Sequence, residues 1–198
     1  MEVSEAIRRR RSIRRFRQEQ VPLPVLQKLV EAARLAPSGG NLQPWEFIIV
    51  HEAMLLPKVF STLAWAGYIA PEGTPPEGKR PAAYIVALQN TSVNPRTPVA
   101  DLAAAIENIL LQAVEEGLGS CWIGSVKREK LAELLSIPEG YVIDSVVALG
   151  YPDEESVVEP FSGSVKYWRD EKGVFHVPKK SLAEIVHYNR FQPHQKSC

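Results

Sequence analysis

The sequence predicts an α+β fold, in which a mixed, mainly antiparallel sheet of four to five strands is wrapped by helices. Apolar runs typical of buried strands interleave along the chain with segments whose apolar residues recur at helical spacing. The two kinds of segment do not alternate with the regularity of βαβ units. No internal repeat or low-complexity linker divides the chain, so we expect one domain spanning residues 1–198.

Each element is predicted from a local pattern. Ser4 and Ser181 are candidate N-caps, Pro24 suits a first helical position, and Pro57 makes the start of the third helix doubtful. The Pro/Gly-rich residues 68–81 are a candidate lid or surface loop. Helices are predicted at residues 5–10, 24–36, 53–67, 99–117, 128–138 and 181–191, and strands at 45–50, 82–88, 120–124 and 141–152, with a hairpin over 166–177 that turns at Lys172–Gly173.

Composition argues against two classes of partner. The net charge is zero and the pI is about 6.9, so no overall field favours nucleic acid or an anionic membrane. No apolar run approaches the ~18 residues that suggest a membrane span, and no signal peptide is recognisable. Cys121 and Cys198 cannot form a disulfide framework. We therefore expect free thiols and a cytoplasmic protein.

The sequence contains little that indicates catalysis by the protein's own side chains. The chain lacks the G-x-G-x-x-G, G-x-x-x-x-G-K-[ST], G-x-S-x-G and S-x-x-K motifs. Its histidines, His51, His176, His187 and His194, are scattered, so we expect no metal site. Cys121 lies in an apolar segment and suits a core position. A bound cofactor therefore becomes the better source of chemistry.

The basic segment, residues 8–17, begins "RRRRSIRRF". If the first helix ends near Arg10, the chain beyond it is extended, and Arg10, Ser12 and Arg14 share one side while Ile13 and Phe16 anchor the other. Two guanidiniums flanking a hydroxyl suit a phosphomonoester. A solvated basic face is the main alternative, and a nucleic-acid patch is a weaker one because the rest of the chain is not basic.

Two further segments could approach a planar ligand. In the amide loop, residues 37–43 of "APSGGNLQPW", the glycines permit close backbone approach, and Asn41 and Gln43 suit the edge of a heteroaromatic ring. In "GLGSCWIGSV", the backbone N–H groups of Ile123 and Gly124 could donate to a ring carbonyl or nitrogen. Ordinary helix-to-strand turns are the alternative for both.

Taken together and in order, these segments resemble the nitroreductase family of flavin-dependent oxidoreductases; "ALGYP" and "VPKKSLAEIVHYNRF" complete a match over nearly the whole chain. The resemblance implies an intertwined homodimer with FMN at the interface. By motif, Arg10, Arg11, Ser12 and Arg14 would hold the FMN phosphate and ribityl chain, with Lys179 and its neighbour Lys180 reaching the phosphate. Ile123 and Gly124 would address the isoalloxazine, and the partner protomer would contribute Pro37, Ser38, Gly39, Asn41 and Gln43.

The implied activity is an FMN-dependent NAD(P)H oxidoreductase. Hydride would pass from NAD(P)H to flavin N5 and then, in a second half-reaction, to a nitroaromatic, quinone or similar electron-poor acceptor, with no catalytic side chain required. A flavin-binding protein without turnover, or a specialised chemistry such as reductive dehalogenation, are the alternatives. An Asn/Lys pair that many members carry after the first strand is not identifiable between residues 53 and 67. Trp65, Tyr68 and Trp168 could line a pocket, but core packing is the preferred interpretation.

Overall fold

The computed structural model describes residues 1–93 and 99–191, so the predicted features at His194 and Cys198 lie outside the described residues. By its internal contacts the chain forms two compact units, Met1–Glu154 and Glu155–Cys198. We call them the N-terminal and C-terminal units and describe each by itself. The single-domain assignment stays a prediction.

The N-terminal unit contains a four-stranded, fully antiparallel sheet in the order β1-β2-β4-β3. The predicted α+β, mainly antiparallel class is confirmed. Its helices are α1 (Val3–Arg9), α2 (Leu23–Arg34), α3 (Leu56–Phe60), α4 (Val99–Glu115) and α5 (Arg128–Leu134), with short 3₁₀ turns at Gly39–Asn41 and Gly67–Ile69, and its strands are β1 (Trp45–Val50), β2 (Ala83–Asn90), β3 (Gly119–Ile123) and β4 (Tyr141–Gly150).

The sheet carries a hydrophobic core on each face. The near-continuous apolar runs of β2 and β4 place buried side chains on both faces, as expected for central strands. One face packs against α2 and α4, and the other includes Val59 of α3 and Leu131 of α5. Within the described ranges, no helix has the length and apolarity needed to cross a membrane.

Helix α4 lies where its pattern predicted. Leu102, Ile106 and Ile109 are buried, and Gly117, at φ 72°, adopts the left-handed conformation that ends many helices. The adjacent Leu118 N–H donates to the carbonyl of Ala113 at 2.7 Å. This turn reverses the chain into β3.

The start of the first predicted helix and the extent of the third differ from the structure. Ser4 lies inside α1, because the carbonyl of Glu2 already accepts the N–H groups of Glu5 and Ala6 and so begins the helix earlier. The helix predicted over residues 53–67 shrinks to α3. After α3 the backbone pairs instead with residues 125–127: the Ala64 N–H donates to Ser125, and the Lys127 N–H to Thr62.

The C-terminal unit is a small three-stranded sheet in the order β5-β7-β6: β5 (Ser156–Pro160), β6 (Trp168–Arg169) and β7 (Phe175–Lys179). The predicted hairpin is confirmed as β6–β7, with Gly173 at φ 83° in its turn, whereas the parallel strand β5 was not predicted. The predicted helix over 181–191 shortens to a 3₁₀ turn, Leu182–Glu184. Ser181 does start that turn, its N–H donating to the Glu184 carboxylate at 2.7 Å.

Candidate functional site

The basic segment is extended after α1 and lies against the edge strand β3. Ser12 forms an isolated parallel bridge with Ser120, and the Ile13 N–H donates to the Ser120 carbonyl at 2.8 Å. Ile13 and Phe16 are buried, as predicted. The segment therefore extends the edge of the sheet and is not a disordered arm.

Its opposite side is bonded to the chain that follows β4. The Arg17 N–H donates to the Tyr151 carbonyl, and the Asp153 N–H donates to the Arg15 carbonyl, both at 2.9 Å. Between these two bonds, Phe16 forms an isolated antiparallel β-bridge with Pro152. The basic segment is thus held between two strand-like partners, which fixes the directions of its side chains.

Two glycines permit this close approach. A Cβ on Gly119 would stand 2.8 Å from Ile13 Cγ2, and one on Gly150 would stand 3.0 Å from the Phe16 ring. Cβ atoms do not reach 2.8 Å without a shift of their neighbour, so only glycine at position 119 lets Ile13 seat against β3. Gly119, the second glycine of "GLGSCW", is therefore needed for the close approach of the basic segment and is not part of a dinucleotide-binding motif.

The phosphate-binding side chains predicted in the basic segment are half-buried, whereas Arg8 and Arg9 are exposed. The Arg10 Nε lies 3.4 Å from Glu107 Oε1 on α4. Arg11 turns back, and its guanidinium donates to the carbonyls of Arg8, at 2.7 Å, and of Arg10. Burial, and then the neighbouring charge of Arg10, lower the Arg11 pKa. Arg11 therefore caps the end of α1 here, and its contact with phosphate stays a prediction.

Arg14 is bonded through its main chain to a carboxylate. Its N–H donates to Glu154 Oε1 at 2.5 Å. Both residues act on the buried Cys121 thiol: burial raises the pKa of Cys121, the charge of Arg14 opposes this, and the charge of Glu154 adds to it. Cys121 is a core residue, as predicted, and its raised pKa disfavours the thiolate that a nucleophile requires.

The amide loop is an ordered turn that is largely exposed. The Gly39 N–H donates to Asp101 Oδ1 at 3.1 Å, and the Gln43 N–H donates to Ser38 Oγ at 2.9 Å. Gly40, Asn41 and Gln43 have φ between 49° and 59°. Within the part of the chain that the structure describes, the Asn41 carboxamide makes no hydrogen bond, so it is available to a ligand.

Ile123 and Gly124 lie where β3 ends. Ile123 is buried, while Gly124 is exposed, and a Cβ on Gly124 would meet nothing within 4 Å. Arg128 fixes this corner: its guanidinium donates to the carbonyls of Ile143 and Asp144, each at 2.8 Å, and of Gly124, at 3.3 Å. The space next to the Gly124 Cα is therefore open, and the Gly124 carbonyl is held by the Arg128 guanidinium.

Three braces of the site were missed from the sequence: Glu107, Arg128 and Glu154. Each is a charged residue on a helix or after a strand, which ordinarily indicates a solvated surface. The proximity of Glu154 to the "ALGYP" motif was the one available signal. Glu107 and Glu154 pair with arginines far away in the chain, and Arg128 bonds Ile143 and Asp144 on the next strand, so local spacing could not reveal these pairings.

The remaining predicted contacts lie in the C-terminal unit. Lys179 and Lys180 are both exposed, and the Lys180 Nζ lies 6.0 Å from the centre of the Phe161 ring. Their part in a phosphate site stays a prediction. The prediction that three aromatic side chains pack in the core is confirmed for Trp65. It is wrong for Tyr68 and Trp168, which are 56% and 44% exposed.

Tyr84 is a large buried side chain with a polar group, and it lies outside these segments. Tyr84 on β2 is fully buried, and its hydroxyl has no hydrogen-bond partner among the described residues. Burial raises the pKa of Tyr84, and the charge of Arg80 partly opposes it. The Arg80 guanidinium stacks 4.4 Å above the Phe60 ring. In the described ranges, no three His, Cys, Asp or Glu side chains gather as a metal site would require.

Comparison with known proteins decides what these segments have in common. The sequence model of the nitroreductase family matches residues 7–151, which include the basic segment, the amide loop and the Ile123–Gly124 corner. The chain belongs to the nitroreductase family. The predicted family is confirmed, and the N-terminal unit is the part that carries the family pattern.

Individual relatives agree with this assignment. A protein of Archaeoglobus fulgidus with the provisional name NADH dehydrogenase/NAD(P)H nitroreductase is 41% identical over 151 residues, which is 74% of this chain and 83% of that protein. An FMN-dependent nitroreductase of Clostridium difficile is 27% identical, with a TM-score of 0.66 over 94% of this chain and 98% of that one. A crystal structure from Parabacteroides distasonis, 24% identical, gives a TM-score of 0.72 over 96% and 98% of the two chains and supports the nitroreductase fold.

Proposed function

We propose that this nitroreductase-family protein is an FMN-dependent NAD(P)H oxidoreductase that reduces a nitroaromatic, a quinone or a similarly electron-poor acceptor. The observation that carries the proposal is the docking of the basic segment on β3, which holds Arg10, Ser12 and Arg14 half-buried. The FMN dependence of the Clostridium difficile relative supports the choice of cofactor.

The residues present fit the phosphate of FMN. Arginine supplies forked N–H donors and serine a hydroxyl, and both suit the oxygens of a phosphomonoester. Glu107 meets Arg10 through Nε, and the terminal nitrogens of that guanidinium, which bond to none of the described residues, remain for a ligand. Phosphate binding would also compensate the cost of keeping several arginines half-buried side by side.

The braced corner at Gly124 suits the ring system. Gly124 adds no side chain to the open space before it, and Arg128 holds its carbonyl so that the adjoining N–H groups keep one direction. Bound FMN would supply hydride transfer between NAD(P)H and the acceptor. The chain would contribute orientation and N–H donors that favour the anionic reduced ring.

We further propose that the site is completed by a second copy of the chain. Gly39 is anchored on α4 at Asp101, and Arg10 at Glu107. Six helical residues separate these anchors by about 9 Å along the axis and about 120° around it. The amide loop and the basic segment of one protomer therefore face different sides of α4, which favours a contribution of the loop to the partner's FMN.

The C-terminal unit supports the same assembly. Four large apolar side chains repeat every three residues and are 60–76% exposed: Leu182, Ile185, Tyr188 and Phe191. Such a stripe is costly in water and typical of a surface that another chain covers. Sedimentation or light scattering on the purified protein would test for the dimer, and a monomer that binds FMN tightly would contradict it.

The activity has a direct spectroscopic test. The purified protein, supplied with FMN, should be yellow, bleach with NADH or NADPH under argon, and recolour when menadione or nitrofurazone is added. A protein that binds FMN but never bleaches would be a flavin-binding module. A protein that cannot bind FMN at all would refute the proposal.

Arg14→Ala tests the phosphate assignment. The variant should bind FMN more weakly by about 1.5–3 kcal/mol, the usual contribution of a hydrogen bond to a charged group. Flavin fluorescence titration gives the Kd, and Arg9→Ala, which removes an exposed arginine of the same segment, is the matched control. Equal affinities for the two variants would mean that the phosphate lies elsewhere.

A further inference from the structure

Glu154 is a carboxylate that contacts the basic segment at Arg14, as Glu107 does at Arg10. Its Oε1 accepts the main-chain N–H of Arg14 at 2.5 Å, and its side chain is half-buried. The preceding residue, Asp153, is fixed by its own N–H bond to the carbonyl of Arg15. The carboxylate therefore stands at a set position, opposite the part of the basic segment whose side chains are assigned to phosphate.

A negative charge at this place needs an explanation. A carboxylate beside a phosphate opposes anion binding electrostatically. A chain that needed only positive charge here could carry a neutral residue instead. What Glu154 supplies is an acceptor for an N–H group in an irregular stretch of backbone, between the bridge at Ser12 and the bridge at Phe16. Without it, a half-buried donor would be unpaired.

We propose that Glu154 is a positioning residue for FMN binding: its carboxylate fixes the Arg14 backbone so that the guanidinium meets the phosphate end of the cofactor. The inference rests on the proposed function, because it requires FMN at this site. Glu154 does not itself touch the cofactor. It acts through Arg14.

Substitutions of Glu154 can separate the effect of its hydrogen-bond acceptor on FMN binding from the effect of its charge. Glu154→Gln keeps an oxygen acceptor and removes the charge, so its Kd for FMN should stay within about twofold of wild type or fall. Glu154→Ala removes the acceptor, so its Kd should rise by about tenfold. Arg14→Ala combined with Glu154→Ala should bind FMN no more weakly than Arg14→Ala alone, since Glu154 acts through that residue.

Riboflavin provides the readout that a merely structural role would not produce. It shares the ring and ribityl chain of FMN but has no phosphate. Glu154→Ala should therefore change the Kd for riboflavin by less than about twofold while weakening FMN about tenfold. The matched control is the next residue, Glu155, which is exposed: Glu155→Ala should leave both affinities unchanged. Thermal unfolding and circular dichroism would verify that each variant is folded.

Three results would overturn the inference. FMN affinity could be unchanged in Glu154→Ala, riboflavin could weaken as much as FMN, or Glu154→Gln could lose as much affinity as Glu154→Ala. The same titrations test separately whether FMN is the cofactor, and the bleaching assay tests the activity. If wild type binds FMN and Arg14→Ala weakens that binding, the phosphate assignment stands whatever Glu154 does; if wild type binds no FMN, the inference and the proposed function both fail.

Discussion

Gly119→Ala should disturb the site without touching any predicted ligand. The added Cβ would lie 2.8 Å from Cγ2 and 2.9 Å from Cβ of Ile13. Ordinary carbon contacts begin near 3.5 Å, so Ile13 would have to retreat by about 0.7 Å. Both residues are buried, and the Ile13 N–H is bonded to Ser120, so the retreat cannot be absorbed by a free side chain.

Overpacking of this kind costs about 1–3 kcal/mol. For a protein of this size, 2 kcal/mol corresponds to a fall in Tm of about 4–8 °C. Because the displaced segment carries Arg10, Ser12 and Arg14, the Kd for FMN should rise together with the loss of stability. Scanning calorimetry and flavin titration on the same preparation measure the two effects.

Gly67→Ala is the control, because a Cβ there meets nothing within 4 Å and no positive φ is required. It should melt close to wild type and bind FMN unchanged. The reasoning would be refuted if Gly119→Ala behaved like this control, since the basic segment would then not depend on its close approach to β3.

Three further outcomes concern the buried Tyr84 and the exposed Arg128. Tyr84→Phe should raise the free energy of unfolding in urea by about 1 kcal/mol, because the hydroxyl is buried without a partner in the described chain; a loss of similar size would reveal a bound water or ligand. Burial raises the Tyr84 pKa, so above pH about 10 the unfolded chain ionises first, and wild type should lose up to about 1.4 kcal/mol of stability per pH unit more than Tyr84→Phe. Below pH 10 the two curves should run parallel, and parallel curves up to pH 11 would contradict the assignment. Arg128→Gln removes donors to three carbonyls and should cost about 2 kcal/mol and weaken FMN binding, whereas unchanged binding would show that the Gly124 corner needs no brace.

Local sequence patterns predicted correctly the elements whose own side-chain periodicity determines which face is buried. The strand predicted over residues 45–50 is β1, and α4 covers the apolar repeat that precedes Gly117. In both, the side-chain period agrees with the face that the fold buries. Ile13 and Phe16 are also buried as predicted, while Arg10, Ser12 and Arg14 are half-buried, and their contact with a phosphate stays a prediction.

Predictions failed where distant chain segments compete. Residues 62–64 leave the helical path because they pair with residues 125–127, some sixty positions away. The stretch 181–191 has helical spacing, but its apolar side chains remain exposed in the C-terminal unit, and a short helix without burial is not stable. The role of Glu154 could not be predicted for the same reason, since it bonds the N–H of Arg14, 140 positions away in the chain.

The basic segment is bonded on both sides, and this also determines at which stage of synthesis the candidate site can form. One side of the segment needs Ser120 and the other needs residues 151–154, so during synthesis the basic segment must wait for partners more than a hundred positions downstream. At about 5–20 residues per second, that delay is about 7–30 seconds of synthesis. A nascent chain that ends before residue 151 contains the arginines but lacks the backbone that holds them, so cofactor binding becomes a late event of folding.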